Sequence, residues 1–146
     1  MVDREIIDYR LGKLRDYANR LNAIREMSLQ EFLEQTDQQL ITERCLQVCI
    51  ETIIDIGNHI IAAKGLGKPK DYRSVLEILG DRDVLPQDFT QALLPLVGLR
   101  NRLVHEYDTI DRKLLFENLK QNLDYFKGFA ELIVNYLERE SGPTRF

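Results

Sequence analysis

Apolar residues recur every three or four positions along four long stretches of the chain, and this spacing constrains the fold more than any other feature. The spacing predicts helices over about 3–26, 37–64 and 111–139, and another that begins near Pro86 and runs past Val104. No stretch alternates apolar and polar residues in twos, as a half-buried strand would. We therefore predict an all-α fold, an antiparallel bundle of four long helices plus one or two short ones.

Turn and capping residues divide the helices. Ser28-Leu29-Gln30-Glu31 has the spacing of a capping box and predicts the start of a short helix. Gly65 and Gly67 are expected to stop the long helix that precedes them. Residues 69–79 then form a connection and a second short helix, and Pro86 stands where a first-turn proline would open the next helix.

The composition is that of one water-soluble domain. A chain of 146 residues with 44% apolar residues can bury one core, so residues 1–146 are expected to form a single domain. The first residues lack the apolar stretch of a signal peptide. Polar residues interrupt the most apolar zone, Ile53 to Ala63, which predicts a buried helix and no membrane span. We expect a cytoplasmic protein that does not contact a membrane.

Cys45 and Cys49 lie four residues apart, on one face of a predicted helix. They could form half of a metal site, but no second Cys/His pair accompanies them. Two reduced cysteines that face the core are the simpler interpretation, and no metal site is predicted.

The net charge of −4 argues against a protein that coats nucleic acid, since such a protein is broadly basic. A local RNA site is still possible, because basic residues cluster at 64–73 and again at Arg100 and Arg102. The simpler interpretation of the 64–73 cluster is a solvated loop.

The string from Arg100 to Tyr107, an Arg-x4-His-x-Tyr pattern, carries the groups that cleavage of a phosphodiester needs. His105 can transfer a proton in either direction near neutral pH. Arg100 can bind the phosphate and stabilise the charge that builds on it. Asn101 and Arg102 are expected to support these two residues.

Arg100 and His105 would not point at one spot on a regular helix, since five residues place them about 140° apart. They can converge if the helix unwinds near His105, if a cleft wraps the helix, or if a two-fold axis brings two copies of the motif together. The pattern alone also fits a simpler interpretation, in which His105 is a histidine near a helix C-terminus and Arg100 an ordinary ion-pairing residue.

Asp55 and His59 form a second polar group, four residues apart on the long helix. The carboxylate could orient the imidazole and support the cleft between two copies of the chain. The alternative is a buried polar pair within the bundle, or a solvated stripe.

The chain resembles the HEPN superfamily, and specifically the HepT-like toxin ribonucleases. Their motif is an Arg, four to six residues and a His, with a polar residue after the Arg. Arg100, Asn101 and His105 match it, and Tyr107 completes the Arg-x4-His-x-Tyr form of the HepT branch. The similarity extends from about Leu40 to Leu137.

The resemblance implies the toxin of a toxin–antitoxin pair, a homodimeric endoribonuclease that cleaves RNA without a metal or other cofactor. It also implies an MNT-type nucleotidyltransferase antitoxin that transfers AMP to the motif tyrosine, here Tyr107. Two alternatives stay open: a non-catalytic HEPN module that binds a nucleotidyltransferase, and a helical interaction scaffold in which the motif is coincidental.

Overall fold

The computed structural model describes residues 2–141 and, at Tyr107, the backbone only. Its six α-helices and one short 3-10 turn are, in chain order, α1 (Arg4–Arg25), α2 (Leu29–Glu34), α3 (Thr36–Lys64), α4 (Tyr72–Asp81), α5 (Gln87–His105), η1 (Tyr107–Thr109) and α6 (Arg112–Ser141). No strand occurs in the described part of the chain. The prediction of an all-α bundle with four long helices and one or two short ones is confirmed.

Contacts between helices give their relative directions. Asp3 contacts His59 and Leu14 contacts Cys49, so α1 runs antiparallel to α3. Glu51 of α3 pairs with Arg100 of α5, while residues 40–47 of α3 line a surface pocket with residues 103 and 104 of α5, so these two helices are also antiparallel. The predicted antiparallel arrangement is therefore confirmed for α1 with α3 and for α3 with α5.

α3 is the central helix of the bundle. It packs against all five other helices, and its buried side chains belong to one cluster that includes residues of every helix. Of the described helices, α3 alone is long and apolar enough to cross a membrane, and 67% of its most apolar window is buried inside the bundle. α3 is therefore a core helix, as predicted.

The helix ends follow the local signals, with one difference. Ser28 and Glu31 form the predicted capping box, and Gly65 ends α3 in the left-handed region at φ 62°. Asp71 opens α4 by a second capping box. Pro86, however, occupies the N-cap position of α5 instead of its first turn, because its extended backbone (ψ 143°) places it outside the helix.

Candidate functional site

The last two turns of α5 carry the motif on an unbroken α-helix. Arg100 lies inside α5, and His105 is its final residue. The backbone N–H of Glu106 still donates to the carbonyl of Arg102, at 2.9 Å, before the chain enters η1. The helix therefore does not unwind between Arg100 and His105, and that way of bringing the two groups together is wrong.

The guanidinium of Arg100 is held on several sides by neighbouring side chains. Its Nε donates to Glu51 Oε2 at 2.8 Å, and its Nη1 donates to Asn101 Oδ1 at 3.3 Å. Its Cζ lies 4.9 Å from the ring centroid of Tyr72, a cation–π contact. Since a guanidinium has five N–H donors, the remaining ones are free to bind an oxyanion.

Glu51 is itself oriented within α3. Gln47, one turn earlier, donates from Nε2 to the same Glu51 Oε2 at 3.3 Å. The side chains of Arg100 and Glu51 keep only 20% and 28% of their exposure, which shields the pair from solvent more than a surface ion pair. Arg100 is therefore a partly buried cation with a fixed direction.

Tyr72 reaches Arg100 because α4 packs closely on α3 and α5 at two glycines. A Cβ built on Gly57 of α3 would lie 2.8 Å from Val75 Cγ1 of α4. A Cβ built on Gly80 of α4 would lie 2.5 Å from Thr90 Oγ1 of α5. At either position a Cβ would force a neighbouring side chain to shift, so these glycines set the close approach of α4 and with it the place of Tyr72.

The other predicted site residues on α5 are exposed. Asn101 accepts from Arg100, and among the described residues no hydrogen bond joins it to His105. Arg102 lines a shallow pocket with Glu106 and residues at the start of α6. The His105 side chain makes no hydrogen bond or ion pair with the described side chains, so it can meet a substrate directly.

Arg100 and His105 do not converge within one copy of the chain. Arg100 reaches back to α3 and α4, whereas His105 stands exposed at the helix end, and a regular helix places them about 140° apart. Two of the predicted arrangements therefore stay open, a cleft that wraps α5 and a composite site built from two copies.

Asp55 and His59 contact α1 and not each other. Asp55 Oδ2 lies 3.1 Å from Arg10 Nη1, and His59 Nε2 accepts from the backbone N–H of Asp3 at 3.0 Å. No hydrogen bond or ion pair joins Asp55 to His59, which pair instead with Arg10 of α1 and with Asp3, the N-cap of α1, so the interpretation in which Asp55 orients His59 is wrong. Their predicted support of a cleft between two copies is not tested by these contacts.

Cys45 and Cys49 are buried, reduced thiols, as the simpler interpretation predicts. Burial raises the pKa of both thiols, and the raised pKa of Cys49 leaves it protonated at neutral pH. Among the described residues, no group of three or more His, Cys, Asp or Glu side chains is placed to hold a metal.

Tyr107 opens η1, two residues beyond His105 along the chain. Its side chain lies outside the described part of the structure, so its predicted role as the modified residue is unchanged.

Two residues that contact Arg100, Glu51 and Tyr72, were missed by the sequence analysis. Glu51 lies 49 positions before Arg100, and no local spacing links the two residues. Its one available signal was a carboxylate on an otherwise apolar stretch of α3, between Ile50 and Thr52, which are both buried. A charged residue in such a position needs a partner.

Relatives of known activity match most of the chain. The family model "Ribonuclease HepT-like" matches residues 14–133. The tRNA nuclease HepT of Aphanizomenon flos-aquae is 35% identical over 137 residues, which cover 93% of this chain and 92% of the relative. The mRNA nuclease HepT of Shewanella oneidensis is 33% identical over 88 residues, or 60% of this chain and 66% of the relative.

Solved structures have the same fold. YutE from Bacillus subtilis, described as a cytosolic protein, superimposes with a TM-score of 0.85 at 27% identity, over 99% of this chain and 96% of YutE. The tri-AMPylated HEPN toxin of Shewanella oneidensis, solved in complex with an MNT antitoxin, superimposes with a TM-score of 0.81 at 26% identity, over 89% of this chain and 97% of the toxin. The family model, the relatives and the shared fold agree with the resemblance carried by the motif, and the chain belongs to the HepT-like ribonuclease family.

Proposed function

We propose that this protein is the toxin of a toxin–antitoxin pair and cleaves RNA, without a metal, at a site formed by Arg100 and His105. Its relatives are named as a tRNA nuclease and an mRNA nuclease, which supports an RNA substrate. One observation carries the proposal: among the described residues, a fixed guanidinium with N–H donors to spare and an imidazole with no hydrogen-bond partner lie five residues apart on one helix.

In the proposed reaction, His105 takes the proton of a ribose 2′-hydroxyl. The 2′-oxygen then attacks the adjacent phosphorus, the bond from phosphorus to the 5′-oxygen breaks, and the 5′-oxygen leaves with a proton. The products are a 2′,3′-cyclic phosphate and a 5′-hydroxyl. Arg100 binds the non-bridging oxygens and stabilises the charge that develops on them.

Since Arg100 and His105 point in different directions within one copy, we propose that the cleft is shared by a homodimer. A two-fold axis beside α5 would place the His105 of one copy near the Arg100 of the other. Asn101 and Arg102 are both exposed on this helix, and they would contact the phosphate backbone of the RNA.

The proposed partner that neutralises the toxin is an MNT-type nucleotidyltransferase, which transfers AMP from ATP to the Tyr107 hydroxyl. The solved AMPylated toxin of Shewanella oneidensis, in complex with an MNT antitoxin, supports this assignment. An AMP group two residues from His105 would block the RNA phosphate by its bulk and its negative charge, as phosphorylation does. The toxin would act in the cytoplasm, consistent with the description of YutE as cytosolic.

Cleavage of RNA by the purified protein tests the activity. His105→Ala should lower kcat by about 10²–10⁴ because it removes the proton-transfer group. His59→Ala is the matched control, since His59 is the other of the chain's two histidines and contacts α1. The wild type should remain active in EDTA and leave a cyclic phosphate. Cleavage that survives in His105→Ala and disappears in EDTA would contradict the proposal.

Intact mass after co-expression with the nucleotidyltransferase tests the modification. The wild type should gain whole AMP units, and Tyr107→Phe should gain none. Tyr9→Phe is the control, since Tyr9 is 75% exposed on α1 and offers an accessible hydroxyl elsewhere. No gain in the wild type, together with harmless expression of the wild type alone, would instead support a non-catalytic module that binds the nucleotidyltransferase.

A further inference from the structure

The connection between α3 and α4, together with the first turn of α4, presents a basic surface that the proposed reaction does not use. We call it the 68–73 surface, and its cations are Lys68, Lys70 and Arg73. The side chains of Lys68 and Lys70 are exposed and make no hydrogen bond or ion pair with the described residues. Arg73 has only an exposed pair with Glu77 of its own helix, at 3.4 Å. These three cations and one carboxylate, Asp71, which lies near Lys70 and Arg73, stand within six residues of a chain whose net charge is −4.

The 68–73 surface is continuous with the site at Arg100. A shallow pocket of about 320 Å³ joins them, and it is lined by Asp71, Tyr72, Arg73, Val97, Arg100 and Asn101. Tyr72 connects the 68–73 surface to the Arg100 site, since its ring contacts the Arg100 guanidinium and the next residue on α4 is Arg73. A strand whose phosphate binds at Arg100 would therefore meet Arg73 next.

The backbone beneath these cations is held in place. The Ser74 hydroxyl accepts from the backbone N–H groups of Lys70 and Asp71, at 2.9 and 3.1 Å, and the Asp71 carboxylate accepts from the backbone N–H of Ser74. That last hydrogen bond holds the pKa of the Asp71 carboxyl below its usual value, so the cap is ionised at neutral pH. The cations therefore project from an ordered turn.

The chemistry of this surface favours a polyanion over a protein. No large apolar side chain is exposed between residues 65 and 74, whereas the core of a protein–protein interface is apolar and poor in charge. Surfaces that bind nucleic acid are polar and positive, and lysine and arginine contact the phosphates.

We propose that Lys68, Lys70 and Arg73 bind the backbone phosphates of the RNA substrate on one side of the scissile phosphate. This inference rests on the proposed function, because it takes the strand to pass through the Arg100 site. The three residues act in binding and not in the chemical step, since they touch the strand away from the reacting phosphorus.

The test replaces all three cations, as Lys68→Gln/Lys70→Gln/Arg73→Gln, and follows cleavage of a single-stranded RNA oligonucleotide over a series of salt concentrations. KM should rise by more than kcat falls. The slope of the logarithm of the binding constant against the logarithm of the salt concentration should also become less steep by about 0.7 for each lost phosphate contact. The slope of the triple variant should therefore be smaller in magnitude by about 2. The matched control, Lys13→Gln/Arg15→Gln/Lys127→Gln, removes the same three charges from exposed positions on α1 and α6.

Binding is measured separately in a His105→Ala background, by fluorescence anisotropy of the same oligonucleotide. RNA affinity and salt slope that match those of the control triple would overturn the inference, even if the wild type cleaves RNA. Normal RNA binding with lost binding of the nucleotidyltransferase would overturn it too, and would assign the surface to the antitoxin. A wild type that binds RNA through these cations but does not cleave it would uphold the inference and refute the proposed activity.

Discussion

Glu51 and Asp55 stand one helical turn apart on α3, yet they serve different parts of the molecule. Glu51 turns to α5 and α4, where it holds the Arg100 guanidinium against Tyr72. Asp55 turns to α1, where it pairs with Arg10, and its side chain keeps 53% of its exposure against 28% for Glu51. One acid orients a cation of the candidate site, and the other joins two helices at the surface.

The comparison shows that the role of a carboxylate on α3 depends on which neighbouring helix its side chain faces. Asp55 and His59 are spaced so that the carboxylate could hydrogen-bond the imidazole. Instead, Asp55 pairs with Arg10, and His59 accepts from the backbone N–H of Asp3. Glu51 lacks a notable spacing to the motif and nevertheless contacts its arginine. We expect substitutions on the two sides of α3 to affect activity very differently.

The largest effect is expected from Arg100, the residue that the α5 side of α3 holds in place. Arg100→Ala should lower kcat/KM by about 10²–10³, the loss expected when a donor to a developing oxyanion is removed. Arg100→Lys keeps the charge but loses the planar fork, so it cannot bind Glu51 and a phosphate side by side. Steady-state cleavage of an RNA oligonucleotide measures both variants. Arg15→Lys, at an exposed position on α1, is the control, and full activity of Arg100→Lys would show that the fork is not needed.

Glu51 should have the next largest effect. Glu51→Ala releases the Arg100 guanidinium, and a misplaced catalytic group costs up to about 100-fold in rate. Glu51→Gln keeps an oxygen that accepts from Arg100 Nε, so it should recover much of the activity. Recovery by Gln distinguishes a positioning role from general stability, which is followed in parallel by thermal unfolding. Equal loss of activity in Ala and Gln would mean that the charge of Glu51 matters more than its direction.

Gly57 tests the close approach of α4, which puts Tyr72 on Arg100. In Gly57→Ala the new Cβ meets Val75 and Leu79, and such overpacking costs about 1–3 kcal/mol of the free energy of unfolding. Thermal unfolding and RNA cleavage should therefore both be impaired. In Gly12→Ala nothing lies within 4 Å of the new Cβ, so stability should be unchanged or raised. A stable and fully active Gly57→Ala would contradict the role given to α4.

The smallest effect is expected on the α1 side. Asp55→Asn breaks the exposed pair with Arg10, and such pairs contribute about 0–1 kcal/mol to the free energy of unfolding. RNA cleavage should stay within about twofold of the wild type, because Asp55 contacts neither of the two residues proposed to carry the reaction, Arg100 and His105. Denaturant unfolding and the cleavage assay check this together. A loss of activity as large as that of Glu51→Ala would show that the α1 side also supports the cleft.

Much of the fold follows from local rules, as particular residues illustrate. Helix ends form where the local residue types favour them: capping boxes at Ser28 and Asp71, and a left-handed glycine at Gly65. The first turn of α5 was misplaced by one residue, because Pro86 satisfies the backbone equally well at the N-cap. η1 was not predicted, since a turn of three residues carries no periodic signal.

The helices, most of their ends and the Arg100–His105 motif can be predicted from the sequence, because each depends on residues a few positions apart. The family also follows from the motif and its surroundings. Three features come from helix packing instead: Glu51 and Tyr72 hold Arg100, Asp55 and His59 pair with Arg10 and Asp3, and the 68–73 surface adjoins the motif. These contacts join residues 27 to 56 positions apart. Such pairs arise from the packing of whole helices, here set by Gly57 and Gly80, and no local spacing encodes them.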